Sequence, residues 1–332
     1  NRTDLIVSQE TNENDNWSVA ATATDGTDAS ELSITDDLII LSLPPGPYLD
    51  CPDTYGNYTM TSDLFWGNSS MVCNQITIST GTILTLNSTA VGRAVNITAN
   101  DLTIESGGVL SVVDMGFAKQ EGPGYLGAND NYASHYAGYG AGIIHSTKKI
   151  YGSVTKPMDL GSGSNRESGA GAIFLNISDT LTVDGSISAN SSSGSYTHGA
   201  GGSIYLISDS FTGLGNISAN SGASTNGYSS SSAGRIAIYY TTNSFTGFIS
   251  ATPGKASIGY RHGSAGTIYL KDSLKDYGNL TIWGNDLSGK KTYLNESILD
   301  ESILNNLNVY GGADLDIDMN LSVLSDKLYV ES

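Results

Sequence analysis

Short runs of alternating apolar and polar residues recur along the chain, among them Ile76-Thr-Ile78, Ile83-Leu-Thr-Leu86, Val95-Asn-Ile97, Leu102-Thr-Ile104 and Val109-Leu-Ser-Val112. The pattern returns in Leu280-Thr-Ile282, Leu307-Asn-Val309, Leu315-Asp-Ile317, Leu321-Ser-Val323 and Leu328-Tyr-Val330. A strand turns successive side chains to opposite faces, so each run predicts a strand with one apolar face. No stretch has the three-and-four spacing of a long amphipathic helix.

Four strands repeat at a nearly fixed distance. Gly171-Ala-Ile-Phe-Leu175, Gly202-Ser-Ile-Tyr-Leu206, Gly234-Arg-Ile-Ala-Ile238 and Gly266-Thr-Ile-Tyr-Leu270 align, with glycines 31, 32 and 32 residues apart. Ile187-Ser-Ala189, Ile217-Ser-Ala219 and Ile249-Ser-Ala251 follow the first three at a near-constant offset. A Ser/Gly-rich stretch leads from each to the next glycine. Ankyrin and tetratricopeptide repeats have similar periods but need helices, which this composition cannot supply. Propeller blades run longer. The repeat therefore predicts an all-β fold, a right-handed parallel β-helix in which each repeat is one coil of a solenoid. Inward Ile, Leu and Val would stack into one core. The leading glycine suits a corner that bends or takes positive φ.

The solenoid is expected to span 76–332, with one long insertion at 114–168 that is rich in Gly, Tyr and Ala. Residues 44–75 read as a linker and a disulfide-bearing cap. Residues 1–43 read as a separate Ig-like, β-sandwich-type segment, ended by Pro44-Pro45-Gly46-Pro47. A sandwich needs about 100 residues, so these strands are incomplete or completed by another chain. The chain opens on Asn1 rather than Met, which reads as a processed or excised piece.

The run from Ile76 through Ala118, the Phe245-to-Ala251 element and Ala265-Gly-Thr-Ile-Tyr-Leu-Lys-Asp272 carry a family resemblance. They resemble repeats of large secreted, repeat-rich surface proteins of archaea and some bacteria. The stretch from Asn16 to Pro45 is similar to the Ig-like modules that accompany them. The resemblance implies secretion and a surface role, and it brings no catalytic residues.

Charge narrows the partners. With 33 acidic against 15 basic residues the net charge is −18, which opposes nucleic acid and adsorption to anionic lipid. No apolar run is long enough to predict membrane insertion. Cys51 and Cys73 lie in one short segment, and an extracellular disulfide between them would close a 23-residue loop. Such a bridge is worth roughly 3 kcal/mol on chain-entropy grounds.

Twelve Asn-x-Ser/Thr sequons mark candidate N-glycosylation sites, at Asn1, Asn16, Asn57, Asn68, Asn87, Asn96, Asn176, Asn190, Asn216, Asn279, Asn295 and Asn320. Alternation turns Asn96, Asn176, Asn216 and Asn279 away from their apolar neighbours, as a glycan requires.

Candidates for chemistry are few. Asp314, Asp316 and Asp318 share one strand face, and calcium is the ion that such a row of oxygen ligands would take. Asn12, Glu13, Asn14 and Asp15 form a second acidic run of that kind. The alternative for both is a solvated face. His135, His145, His198 and His262 share no spacing that makes a metal or triad motif. Arg261-His262 and Lys148-Lys149 are loop cations that could meet acidic sugars. Phe174, Tyr205 and Tyr269 take the outward position of successive repeats, with Ala237 between the last two. That ladder would bind sugar rings or a partner, or pack under a folded-back loop.

These readings lead to a non-enzymatic extracellular structural protein. It would need no cofactor and would assemble with copies of itself into a cell-surface layer, sheath or filament through β-strand contacts. A glycan- or cell-binding adhesin is the alternative, and a polysaccharide lyase or hydrolase on a β-helix comes third.

Overall fold

The structure is a computed structural model. It describes four short strands between residues 16 and 39, then residues 51–52, 56–127, 133–141, 150–226, 229–257, 262–324 and 329–330. The fold is nearly all β, with 41% strand and 2% helix.

The first strands are β1 (Asn16–Ser18), β2 (Ala21–Thr24), β3 (Ala29–Leu32) and β4 (Asp37–Ile39). They form two antiparallel pairs, β1 with β4 and β2 with β3.

A long parallel stack follows. Its early strands are β5 (Asn57–Met60), β6 (Leu64–Trp66), β7 (Ser70–Val72), β8 (Gln75–Ile78), β9 (Ile83–Leu86), β10 (Val95–Ala99), β11 (Asp101–Ile104) and β12 (Val109–Ser111). One short helix, α1 (Ser88–Val91), joins β9 to β10, with Asn87 as its N-cap. After the excursion come β13 (Ala172–Val183), β14 (Ser186–Ser188), β15 (Ser203–Thr212), β16 (Asn216–Ser218), β17 (Arg235–Asn243), β18 (Phe248–Ser250) and β19 (Thr267–Asp272).

These strands stack in three rows. Among the described residues, β6, β9, β12, β14, β16 and β18 make one parallel six-stranded sheet. A second row runs β7, β10, β13, β15, β17, β19, and a third runs β5, β8, β11 and on into the later halves of β13 and β15. A register shift between Ile177 and Thr180 separates the second row from the third within β13. Each repeat thus lays one rung on every row.

Register lines up the apolar residues. Ile97, Leu175, Leu206, Ile238 and Leu270 are successive partners, as are Ile173, Ile204, Ile236 and Ile268. All pack in one apolar cluster with Leu84, Leu110, Ile187 and Ile217 of the six-stranded sheet. The buried alternation in the sequence and the stacking of repeats are one fact, because unbroken register brings like residues together.

Three expectations need correction. Residues 57–72 are not a linker: β5, β6 and β7 pair in parallel with β8, β9 and β10, because Tyr58, Met60 and Met71 continue the apolar rows. Cys51 and Cys73 are bridged, with Cα atoms 5.2 Å apart, beside this first set of rungs. The parallel stack also does not run unbroken to the end. Strand β20 (Asn279–Trp283) pairs antiparallel with β19, so chain direction reverses there. Beyond it, β20 pairs in parallel with β23 (Asn306–Tyr310), which pairs with β26 (Tyr329–Val330). Beside them β21 (Lys291–Asn295) pairs with β24 (Asp314–Asp318), and β22 (Ile303–Leu304) with β25 (Ser322–Val323). The third correction concerns the glycines that open the repeated strands. Gly171, Gly202, Gly234 and Gly266 do not have positive φ. At Gly202, Gly234 and Gly266 a Cβ would run into the backbone of the preceding rung, and at Gly171 into the Ser88, Val112 and Met115 side chains.

Candidate functional site

The outward ladder is the first place to test. Phe174 and Tyr205 stack with ring centroids 4.8 Å apart and planes 15° off parallel. Ala237 leaves a gap, which Tyr239 fills from two residues on, meeting Tyr205 at 5.7 Å and Tyr269 at 5.8 Å. Two of these rings are shielded from solvent, and Phe174 and Tyr239 are half-buried. Tyr269 is fully buried and Tyr205 nearly so, in a second apolar cluster that includes Val154, Leu280, Ile298 and Leu299. As a ligand or partner surface, Tyr205 and Tyr269 are therefore corrected: the chain itself covers them, using residues of the excursion and of the C-terminal segment, while Phe174 packs against the same cluster and stays half-buried.

The phenols on this face are tied down. Tyr269 donates to Glu301 Oε2 at 2.6 Å, and Lys271 Nζ meets Glu301 Oε1 at 2.8 Å. Tyr239 donates to the Thr155 carbonyl at 3.1 Å, and the Thr155 hydroxyl donates to Asp300. Burial raises the pKa of Tyr239 and Tyr269, and the Glu301 carboxylate adds to it. Sequence parity places Tyr239 outward. Glu301, Thr155 and Asp300 lie too far along the chain for any local signal to have found them.

The excursion is held by a buried arginine. Arg235 opens β17 and is fully buried. Its Nη2 and Nε donate to the Tyr151 carbonyl at 3.0 and 3.3 Å, and its guanidinium lies 5.4 Å from the Tyr136 ring centre. Burial lowers the guanidinium pKa, while Tyr136, Asp159 and Tyr151 hold it up. Burial also raises the pKa of Tyr136 and Tyr151. Arg235 and Tyr136 are fully buried, and the contact attaches the excursion to the stack: one cation supplies two donors to one carbonyl.

Three histidines lie in the stacked loops rather than together. His135, His198 and His262 are all buried, and His262 Nδ1 accepts from Ala256 N at 3.0 Å. Among the described residues no three His, Cys, Asp or Glu side chains converge as a metal site. Asp314, Asp316 and Asp318 instead face their parallel partners Lys291, Tyr293 and Asn295, and Tyr293 donates to Asp318 Oδ2 at 2.8 Å. The calcium expectation for these three aspartates thus finds a row and no cage. Asn12, Glu13, Asn14, Asp15, His145, Lys148, Lys149 and Arg261 lie outside the described residues.

The sequons divide by environment. Asn57, Asn68, Asn176, Asn216 and Asn320 are exposed, and Asn87, Asn96, Asn190, Asn279 and Asn295 are half-buried. Asn190 is committed on both sides of its amide: Nδ2 donates to Ser218 Oγ at 2.9 Å and Oδ1 accepts from Asn220 N at 2.6 Å. Asn220 repeats the motif with Ser250 and Thr252. Asn1, and the side chain of Asn16, lie outside the described residues.

Among the described residues, recesses open to solvent include the following. A shallow one of about 220 Å³ is lined by Gln75, Thr77, Asp101, Thr103 and Thr180, and its carboxylate is already paired with Gln75 and the Thr180 N–H. A larger cleft of about 450 Å³ is lined by Tyr139, Gly289, Lys290, Lys291, Asp314 and Asp316.

No family model, no curated protein and no solved structure matches the chain.

Proposed function

We propose that the protein is a non-enzymatic, extracellular structural subunit that assembles with copies of itself through β-strand contacts. In this reading the three rows close as a right-handed β-helix solenoid, and the product is a surface layer, sheath or filament. The observation that carries it is the state of the six-stranded sheet. Among the described residues it ends on β6 at one side and β18 at the other, neither with a further strand partner. Open strand edges template pairing with another chain, and a head-to-tail contact that does not close propagates.

Five exposed sequons support a glycosylated outer surface, as in the secreted surface proteins the sequence resembles. The strands within 16–39 would complete a neighbouring subunit. Electron microscopy of the purified protein over a range of concentrations tests the reading. Regular filaments or sheets are expected, with their loss on deletion of residues 1–43. A protein that stays monomeric at high concentration removes it.

A further inference from the structure

The third row of strands carries an unbroken file of threonines. Thr59, Thr77, Thr103, Thr182 and Thr212 are successive partners in parallel register, one from each of β5, β8, β11, β13 and β15. Their strand neighbours Ile76, Leu102, Leu181 and Phe211 are buried in the core, so alternation turns the threonines outward. Thr59 is exposed and the other four are half-buried. Among the described residues none of the five hydroxyls has a hydrogen-bond partner.

Strand spacing sets neighbours in the file about 4.8 Å apart, so the five span roughly 19 Å. Strands β8, β11 and β13 are paired on both sides, which holds the file in place. A second file stands two residues back along each strand. There Asn57, Gln75 and Asp101 are partners, and above them Thr180, Ser210 and Thr242. The Asp101 carboxylate is taken up by Gln75 Nε2 at 3.2 Å and by the Thr180 N–H at 3.3 Å. The recess of about 220 Å³ is lined from both files, by Thr77 and Thr103 and by Gln75, Asp101 and Thr180.

The two files exclude most ligand classes. They hold no lysine or arginine for a polyanion and no aromatic ring on which a sugar could stack. A protein or lipid would find no apolar anchor beyond the threonine methyls. What remains is a ligand that repeats as the face does. A single threonine gains nothing from ice over liquid water, since both offer its hydroxyl the same hydrogen bond. Five in fixed register act together. Their hydroxyls anchor water and their methyls restrict the waters between, and ice is the form of water whose surface repeats.

We propose that this face binds ice, with the threonine file as the contact and water ordered in the recess joining the two files. The proposal goes beyond strand-mediated assembly and does not depend on it, since its variants leave β6 and β18 unchanged.

The test uses the full chain from a host without N-glycosylation, so that Asn57 at the edge of the face is bare. Dye-labelled protein is offered to a growing single ice crystal, and the gap between melting and freezing points is read in an osmometer. Retention in the ice, faceted crystals and a measurable gap are expected. Thr103→Tyr and Thr182→Tyr raise a ring from the middle of the file and should lose all three, with circular dichroism and melting unchanged. Thr225→Tyr, at an exposed position of the stacked loops, should keep them. Parent protein rejected by the ice like an unrelated acidic protein would overturn the assignment. So would folded Thr103→Tyr and Thr182→Tyr variants that bind as the parent does. Electron microscopy of the same variants keeps the two readings separable: ice binding lost with assembly intact is the expected combination.

Discussion

Gly234 lies so close to Gly202 that a Cβ placed on it would fall on the Gly202 carbonyl oxygen. Gly266 bears the same relation to Gly234, and Gly202 to Gly171. The recurrent glycine is thus a packing requirement of stacked backbones.

Gly234→Ala is accordingly expected to lower stability by at least the 1–3 kcal/mol typical of overpacking, because backbone rather than a flexible side chain must move. Gly67→Ala, where a Cβ meets nothing within 4 Å, is the matched control and should melt like the parent. Thermal unfolding followed by circular dichroism compares them. Equal melting of the two variants would contradict the close approach.

Arg235→Met should keep most of the buried volume and lose the pair of donors to Tyr151. An unpaired buried carbonyl costs about 1–3 kcal/mol. The loss should appear first as protease cleavage within 113–170, before the rest of the chain opens. Unchanged cleavage would show that the arginine does not hold the excursion.

Reducing the Cys51–Cys73 bridge should lower stability by roughly 3 kcal/mol, chiefly at the β5–β7 end. Melting with and without reductant, together with Cys73→Ala, measures this. Free thiols in natively purified material would rule the bridge out.

If the chain is glycosylated, glycans should occupy Asn57, Asn68, Asn176, Asn216 and Asn320 in preference to Asn190, whose amide is committed within the stack. Peptide mapping by mass spectrometry from a glycosylating host reads the occupancy. A fully occupied Asn190 would sink the assignment.

Stability should fall at both ends of the pH scale. Burial lowers the His262 pKa in the folded protein, so the unfolded chain binds the extra proton and stability declines as pH falls below about 6.5. Tyr136, Tyr151, Tyr239 and Tyr269 have folded pKa values raised by burial. The folded chain keeps those protons longer, so stability declines as pH rises above about 10. Arg235 acts in the opposite sense, a single group set against these phenols. Denaturant titrations across pH test this, and His262→Gln should flatten the acid limb. A flat alkaline limb would count against burial of the phenols.

The strands, their inward faces and the repeat were legible because period-two alternation is local and every rung repeats it. Ile204 and Leu206 turn inward and Tyr205 outward, as parity requires. The disulfide was legible for a different reason: two cysteines leave one pairing. The cleft was not legible, because Tyr139, Lys291 and Asp316 come from segments with no shared motif.

By itself the sequence determined which residues alternate, which repeats stack and which side of each strand is apolar. These follow from backbone geometry within a few residues. Only the tertiary structure decided what lies over the outward face. Val154 and Ile298 cover Tyr205 and Tyr269 from far along the chain, turning an apparent binding ladder into a second core. It also decided that chain direction reverses between β19 and β20. Parallel and antiparallel neighbours place side chains with the same alternation, so Leu280-Thr-Ile282 carries no mark of its direction.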